Sequence, residues 1–368
     1  MNGSNSPLPL GYNHASTWRT MKKIPRDPTR FDTIDWFGEF CKSKGYSIGQ
    51  TEALDAFLNS IKDNIKEVIA DDNRLRGIQG QAMFEALIIE LGHATFTRQE
   101  DSGRLYSASA VQPLDLRVTL PDNRTLLIEI KDSTATPWLG ECVLIPKKKF
   151  HRYREYAKTV GGDPMFAIFW RKLWRWVLVP PKAFVKIKKS YALTFEESFK
   201  LNEMSVLGDR MLATRTPLRM KVETDPNQPR ELDSNGFGHY SIKGIELFCR
   251  DKPIKDEAGK KLAFYMMLFG RWRDRQPILH LDGRTILAVD WIFEPEADEA
   301  DPDCYIVDAL SSMFSRQFDF HTRDRENNLR ILSTEAESGR LATLAPQNFP
   351  FKTSDLPLWI FRLEPSDS

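Results

Sequence analysis

The sequence has 368 residues, of which 41% are hydrophobic and 28% are charged, with a net charge of +1. This composition fits a globular chain long enough for two domains and excludes a chain dominated by disorder. No apolar run reaches the roughly 20 residues that span a bilayer, and no secretion signal is evident, so we expect a cytoplasmic protein with no membrane segment. The four cysteines lie far apart, which favours neither a zinc site nor a disulfide framework.

The first half of the chain changes from a polar arm to helices and then to strands. Residues 1–30, rich in Ser, Asn and Pro, have the composition of a loose arm. Helical periodicity follows up to His93. Candidate caps at the start of the last helix are Asp71, Asp72 and Asn73, and Gly92 is a candidate for its stop. Three strand-like segments, a basic helix over 146–160 and two more strands predict a mixed sheet flanked by helices, an α/β (α+β) fold.

The pattern changes again after about residue 190. Residues 191–368 combine Pro- and Asp-rich loops with several predicted hairpins, one of them around the turn at Asp282 and Gly283. We therefore predict three parts: the arm 1–30, a helical lead-in and catalytic core over 31–190, and a mixed, β-rich C-terminal domain over 191–368. The last part would recognise a target or a partner.

Two of the predicted strands alternate between apolar and polar residues, with Leu127 as the exception. In 113–120 and in 124–131 every second residue is aliphatic, so each strand has one apolar face. If the segment between them is a hairpin turn, matching the two apolar faces fixes the register, because a slip of one residue would reverse every side chain. The predicted apolar pairs are Leu114 with Ile130, Leu116 with Ile128, and Val118 with Leu126.

The polar face of this hairpin collects opposite charges. The register places Asp115 directly across from Glu129, with Lys131 on the same face. Two carboxylates on side chains about 4.5–5.5 Å apart at Cβ destabilise each other unless a cation lies between them. A divalent metal would resolve the conflict, as would a purely structural cluster of ion pairs. A Mg²⁺ ion there would leave positions open for a phosphate and an attacking water, as phosphodiester hydrolysis requires.

These residues resemble the signature of the PD-(D/E)XK nuclease superfamily, which has the restriction-endonuclease-like fold. Glu129-Ile130-Lys131 follows Asp115 by fourteen positions and is the only acidic-x-Lys triplet in the sequence. The literal Pro-Asp pair is absent, because Leu114 stands directly before Asp115. The resemblance covers roughly residues 72–180.

The resemblance implies roles for individual residues. Asp115 and Glu129 would bind Mg²⁺, for which Mn²⁺ would substitute, and the backbone carbonyl of Ile130 would be a further ligand. Glu85, in the apolar helix that precedes the strands, would be an additional acidic residue facing the metal. Lys131 would orient the attacking water.

The basic residues are concentrated in one segment. Residues 147–189 contain thirteen Lys or Arg and two acidic residues, a local net charge of +11, whereas the remaining 39 basic and 49 acidic residues give −10. Such a segment favours phosphate binding, although a solvated Lys/Arg face has the same composition. The expected nucleic-acid contacts are Lys147, Lys148, Lys149, Arg152 and Tyr153.

By resemblance the sequence therefore predicts a metal-dependent endonuclease that hydrolyses DNA phosphodiester bonds, in prokaryotic defence or DNA processing. DNA is the expected partner, and a partner protein or a second copy of the chain is a further expectation. The alternative is a nuclease-like subunit that binds nucleic acid or serves in an assembly and cuts weakly or not at all. The presence of all three motif residues favours the enzyme.

Overall fold

The computed structural model describes residues 21, 32–100, 105–274, 276–296, 301–346, 349 and 354–366, so the predicted arm over 1–30 lies outside the described residues except for Met21. The helices are α1 Asp32–Lys44, α2 Thr51–Ala70, α3 Asp72–Leu91, α4 Lys147–Val160, α5 Phe195–Lys200, α6 Glu257–Phe269, α7 Leu310–Thr322 and α8 Arg340–Leu344. The strands are β1 Phe96–Gln99, β2 Leu116–Thr119, β3 Thr125–Ser133, β4 Val143–Pro146, β5 Asp163–Trp170, β6 Arg175–Val179, β7 Val185–Lys186, β8 Ser190–Leu193, β9 Met211–Thr214, β10 Leu218–Thr224, β11 Ile242–Cys249, β12 Lys252–Pro253, β13 Ile278–Asp282, β14 Thr285–Phe293, β15 Tyr305–Ala309 and β16 Leu358–Phe361. Within these ranges no helix is long and apolar enough to cross a membrane.

The predicted caps define the ends of α3. The Asp71 side chain accepts hydrogen bonds from the backbone N–H groups of Asn73 and Arg74, at 3.0 and 3.2 Å, so it satisfies two donors that the first turn of the helix leaves open. At the other end Gly92 has a φ of 70°, a left-handed conformation in which a side chain would be strained. Of the three candidate caps the structure selects Asp71, and the predicted stop at Gly92 is confirmed.

The first sheet contains five strands in the order β1-β2-β3-β5-β6. β3 and β5 run parallel, and the other neighbours are antiparallel. Helices flank this mixed sheet, so the predicted α/β (α+β) class is confirmed. The hairpin register is also confirmed where β2 and β3 pair, with Leu116 opposite Ile128 and Val118 opposite Leu126.

The third predicted pair, Leu114 with Ile130, is wrong. β2 begins at Leu116, and the Asp115 carboxylate accepts the hydrogen bond that the backbone N–H of Ile130 would otherwise give to a neighbouring strand, at 2.6 Å. Leu114 is then buried among side chains packed around α4, away from Leu116. The ladder thus ends at Leu116 with Ile128, two residue pairs earlier than predicted, so the predicted pairing of Asp115 directly across from Glu129 is also wrong.

The two faces of the first sheet are covered by different helices. α3 packs on the face that carries Leu116 and Ile128, together with Trp176 of β6. α4 packs on the opposite face, which carries Leu127 of β3 and Phe166 of β5. Because side chains alternate along a strand, the odd-numbered positions 127, 129 and 131 of β3 share the α4 face.

The second half of the chain forms a five-stranded sheet in the order β12-β11-β10-β14-β13 and a three-stranded sheet in the order β15-β9-β16. The apolar core on the α3 face continues into α6, α7 and α8 of this half. Trp176 Nε1 donates to Ser315 Oγ at 2.9 Å, and Arg340 Nε lies 2.6 Å from Glu90 Oε2 on α3. The division between 31–190 and 191–368 stays a prediction, since the apolar core is continuous across it.

Candidate active site

Glu129 is a buried carboxylate on the face of the first sheet that α4 covers. Its side chain is 3% exposed, and its Oε1 atom forms ion pairs with Nζ of Lys131 on the same strand and, at 3.4 Å, with Nζ of Lys149 on α4. Burial of an unpaired carboxylate would cost several kcal/mol, so the two ammonium groups are what makes this position tolerable in the absence of another cation.

Asp115 joins this group from the neighbouring strand. It lies at the point where the β2–β3 ladder stops, and its Oδ2 atom accepts from Ile130 N at 2.6 Å. Ile130 stands between Glu129 and Lys131, so this hydrogen bond holds Asp115 beside both. The N–H and C=O of one strand residue point to the same edge, so the carbonyl of Ile130 shares that edge with Asp115.

Tyr153 of α4 lies beneath the two carboxylates. It is 1% exposed, and its hydroxyl has no hydrogen bond of acceptable geometry to another described residue. Burial, followed by the negative charges of Glu129 and Asp115, raises the pKa of Tyr153 well above its usual range. The Lys149 ammonium lies 5.2 Å from the centre of the Tyr153 ring, a cation–π contact. The charges of both carboxylates therefore act at one hydroxyl.

Two carboxylates and two ammonium groups form a cluster whose formal charges sum to zero: Asp115, Glu129, Lys131 and Lys149. Solvent reaches this cluster at the two lysines. The side chains of Lys131 and Lys149 are 31% and 36% exposed, whereas that of Glu129 is almost inaccessible. A ligand would enter past the ammonium groups, which favour an anion. Arg117 of β2 and Tyr156 of α4 both contact the Glu100 carboxylate, so a second buried acid beside the sheet is already satisfied.

The oxygen atoms in this cluster suit a magnesium ion. Mg²⁺ binds through one or two carboxylates and keeps several waters, and Asp115 and Glu129 supply two carboxylates. Within the described ranges no three Asp, Glu, His or Cys side chains are placed to hold a metal together. A metal here would therefore complete its coordination with backbone carbonyl, water and phosphate oxygens.

Glu85 does not complete a three-carboxylate set. Its Oε2 atom accepts from Gln99 Nε2 at 2.9 Å, and it lies on α3, which covers the face of the sheet opposite to Glu129. The expectation that Glu85 joins the other acidic residues at a metal is thus corrected. The reason is that α3 covers the face of the sheet opposite to Glu129. The sequence of α3 does not show this, because apolar residues stand on both sides of Glu85.

The expected nucleic-acid contacts divide between two surfaces of α4. Lys148 and Arg152 line an open groove of about 990 Å³, together with His151, Arg154 and Lys158. Lys147 Nζ instead donates to the carbonyl of Lys188 at 2.9 Å. The prediction that Tyr153 contacts nucleic acid is wrong, because its ring and hydroxyl are buried beneath Glu129.

Sequence reasoning missed that Lys149 and Tyr153 belong to the charged cluster. A signal for it exists: the two residues are four apart on a helix, the spacing that places side chains on one face. Phe150, Tyr153 and Ala157 mark the buried face of α4, and Lys149 stands at its edge. The position of Lys149 at this edge is hard to recognise in the sequence, because seven of the helix's fourteen residues are Lys, Arg or His.

Comparisons with known proteins find a likeness among solved structures. No protein-family model matches the sequence, and no curated protein matches it. Among solved structures, the chain is similar to Hjc, a Holliday junction resolvase from Archaeoglobus fulgidus, an archaeal hyperthermophile. The match has 17% identity and a TM-score of 0.29, and it covers 35% of this chain and 100% of that one. With so low a TM-score the likeness supports no statement about activity.

Proposed function

We propose that this chain is a metal-dependent endonuclease that hydrolyses DNA phosphodiester bonds, with an active site of the PD-(D/E)XK type. The observation that carries the proposal is the hydrogen bond of the Asp115 carboxylate to Ile130 N. It brings a second carboxylate to the strand segment Glu129-Ile130-Lys131 at the point where the two strands separate. Two carboxylates and a lysine at such a point are what metal-assisted phosphodiester hydrolysis needs.

Each residue has a distinct role in this proposal. Asp115, Glu129 and the carbonyl of Ile130 would hold Mg²⁺ or Mn²⁺, which when bound polarises the phosphate and lowers the pKa of its water. Lys131 positions the attacking water. Lys149, whose ammonium contacts the same oxygen of Glu129 as Lys131, neutralises charge that develops on the phosphate oxygens.

The open groove along α4 would bind the phosphate backbone. Lys148 and Arg152 line it with further cations, and phosphates attract such a surface whatever the base sequence. The contacts supply affinity and leave the chemistry to the buried carboxylates. DNA is proposed over RNA from the resemblance to the nuclease superfamily.

Cleavage assays with single-site variants test the chemistry. Wild-type chain with Mg²⁺ or Mn²⁺ should nick or cut supercoiled DNA, and EDTA should stop it. Asp115→Asn, Glu129→Gln and Lys131→Met should each lower the rate by roughly 10²-fold or more, since each removes a charge from the reaction centre. Asp122→Asn, in the exposed turn between β2 and β3, is the matched control and should cut at the wild-type rate. Wild-type rates in all three site variants would refute the assignment.

Salt dependence of binding tests the groove, with EDTA present so that no cleavage interferes. The slope of log K against log salt is about −0.9 for each phosphate neutralised on duplex DNA. Lys148→Glu with Arg152→Glu should weaken binding to unrelated sequences and make the slope shallower by roughly one unit for each lost contact. Lys260→Glu with Lys261→Glu, on α6, should leave the slope unchanged. Equal slopes in both double variants would remove the groove from DNA binding.

A second function is favoured by one observation. The two lysines already neutralise Glu129, so the cluster is satisfied by ion pairs alone. This supports a nuclease-like subunit that binds DNA or serves in an assembly and does not cut. The two functions separate cleanly in the same assays: the subunit would bind DNA with a salt-dependent slope and give no product with either metal.

A further inference from the structure

Helices α1 and α2 form a hairpin with a small core of its own. Phe37 and Cys41 of α1 pack against Ala53 and Phe57 of α2, and these four buried residues form a cluster separate from the cores around the first sheet. The Phe37 and Phe57 rings lie 5.4 Å apart. α1 therefore covers the side of α2 that carries Ala53 and Phe57, and no other side.

A second apolar side of α2 faces solvent. Leu54, Leu58, Ile65 and Ile69, here called the α2 stripe, are 48%, 54%, 52% and 63% exposed. At 3.6 residues per turn these four side chains fall within an arc of about 60°, turned away from Ala53. They extend over nearly the whole helix, which has 20 residues and is about 30 Å long.

The α2 stripe has the size and spacing of a helix-packing surface. Single exposed aliphatic side chains are ordinary, but a continuous apolar surface marks an interaction site. The four residues form two pairs with the same eleven-residue spacing, 54 with 65 and 58 with 69. Eleven residues make about three helical turns, so these side chains stay on one side of the helix and can pack against a helix with the same repeat. On α1, Ile34 and Trp36 are also exposed, at 55% and 63%.

We propose that the α2 stripe is the interface of a homodimer, in which the α2 helices of two copies pack antiparallel and the two hairpins form a four-helix bundle. A twofold axis through the middle of the helix sets Leu54 of one copy against Ile69 of the other, and Leu58 against Ile65. A second copy carries the same stripe with the same spacing, so one symmetric contact covers both.

The charges beside the stripe complement each other in this arrangement. Asp55, near the start of α2, and Lys62 and Lys66, toward its end, lie on the same flank of the stripe by the helix repeat. In the antiparallel pair Asp55 of one copy lies about 3 Å along the helix axis from Lys66 of the other, and the twofold axis generates this contact twice. In a parallel pair the twofold axis runs along the seam and sets the charged flanks of the two copies on opposite sides of it, so this contact does not form.

Neither Asp55 nor Lys62 forms an ion pair with another residue of the described ranges, and Lys66 lies 4.0 Å from Asp63, both of them exposed. The charged flank is thus open to a partner. Its order, acidic then basic, selects the antiparallel arrangement over the parallel one.

Sedimentation velocity on the full chain tests the dimer. The wild type should sediment as a dimer that dissociates on dilution. Leu58→Asp with Ile65→Asp should sediment as a monomer, because each dimer would bury four carboxylates in its seam. The matched control, Val185→Asp with Ile242→Asp, alters aliphatic side chains that are 62% and 58% exposed elsewhere and should remain dimeric. Far-UV circular dichroism and thermal melting confirm that each variant is folded.

A charge swap tests the orientation. Asp55→Lys and Lys66→Asp should each raise the dimer dissociation constant, by roughly threefold to tenfold, because each opposes like charges twice. The combined variant restores opposite charges and should return to the wild-type constant. A wild-type chain that is monomeric at every concentration, or a dimer that the stripe variants leave intact, would overturn the proposal. No cleavage is measured, so the outcome is independent of the proposed activity.

Discussion

Two carboxylates three residues apart on β3 lie on opposite faces of the first sheet and have different surroundings. On the α4 face, Glu129 contacts the ammonium groups of Lys131 and Lys149 through a single oxygen, Oε1. On the α3 face, Asp132 is held by Arg171, whose guanidinium reaches both carboxylate oxygens. Both carboxylates are buried, with side chains 3% and 1% exposed.

The difference predicts that the Asp132 pair is structural. A bidentate guanidinium satisfies a carboxylate in a fixed geometry, whereas two ammonium groups are point charges on flexible chains. The Asp132 pair is also enclosed by α3, where Gly80 lies so close that a Cβ atom there would be 3.0 Å from Asp132 Cβ. The Glu129 cluster, by contrast, reaches solvent at Lys131 and Lys149.

The largest effect is expected from breaking the structural pair. Arg171→Ala leaves the buried Asp132 carboxylate without its cation and should lower the free energy of unfolding by about 3–5 kcal/mol. Lys131→Ala leaves Lys149 beside Glu129 and should cost about 1 kcal/mol or less. Urea unfolding measures both. The double variant Arg171→Ala with Asp132→Ala should recover part of the loss, and equal costs for the two single variants would contradict the contrast.

Two glycines of α3 sharpen the same contrast through packing. Gly80→Ala should lower the free energy of unfolding by about 1–3 kcal/mol, because the added methyl group meets Asp132. Gly77→Ala, one turn earlier and with no atom within 4 Å of the added group, should raise it by about 0.5–1 kcal/mol, since alanine has the better helix propensity. Thermal or chemical unfolding decides the signs, and a stabilising Gly80→Ala would mean that Asp132 is free to move.

The tyrosines of α4 extend the comparison to alkaline pH. Burial, then the hydrogen bond to Glu100, raises the pKa of Tyr156 to about 12, above the value of about 10 of an unfolded chain. The folded state holds this proton more tightly, so its contribution to stability is complete below pH 10 and is lost as the pH rises to about 12. Tyr156→Phe should remove that contribution, giving a shallower decline of stability over the same range. An identical decline in both proteins would place Tyr156 in solvent.

The smallest effect is expected at Tyr153. Its buried hydroxyl lacks a hydrogen bond of acceptable geometry within the described ranges, so Tyr153→Phe should leave the free energy of unfolding unchanged or raise it by up to about 1 kcal/mol. The same substitution at Tyr156 removes a hydrogen bond to a carboxylate and is the natural control. A clear destabilisation by Tyr153→Phe would show that the hydroxyl binds Glu129 or an ordered water.

Much of the hairpin could be predicted because its pattern is local. Alternation of apolar residues fixes which side chains share a face, and one face must be buried, so the pairing of Leu116 with Ile128 follows. The same alternation places Glu129 and Lys131 together. The caps of α3 are equally local, because Asp71 and Gly92 act on backbone groups within one turn.

The sequence by itself therefore determined the mixed fold, the register and the neighbours along β3, whereas the tertiary structure decided which helix covers which face. That choice depends on contacts between residues far apart in the chain, which the periodicity of a sequence does not predict. Examples are the contacts of Lys149 with Glu129 and of Trp176 with Ser315. The same choice brought Lys149 and Tyr153 to the carboxylates and carried Glu85 to the opposite face. The Asp115 carboxylate accepts the hydrogen bond of Ile130 N, and the ladder between β2 and β3 ends there, although the apolar pattern alone predicts that it continues.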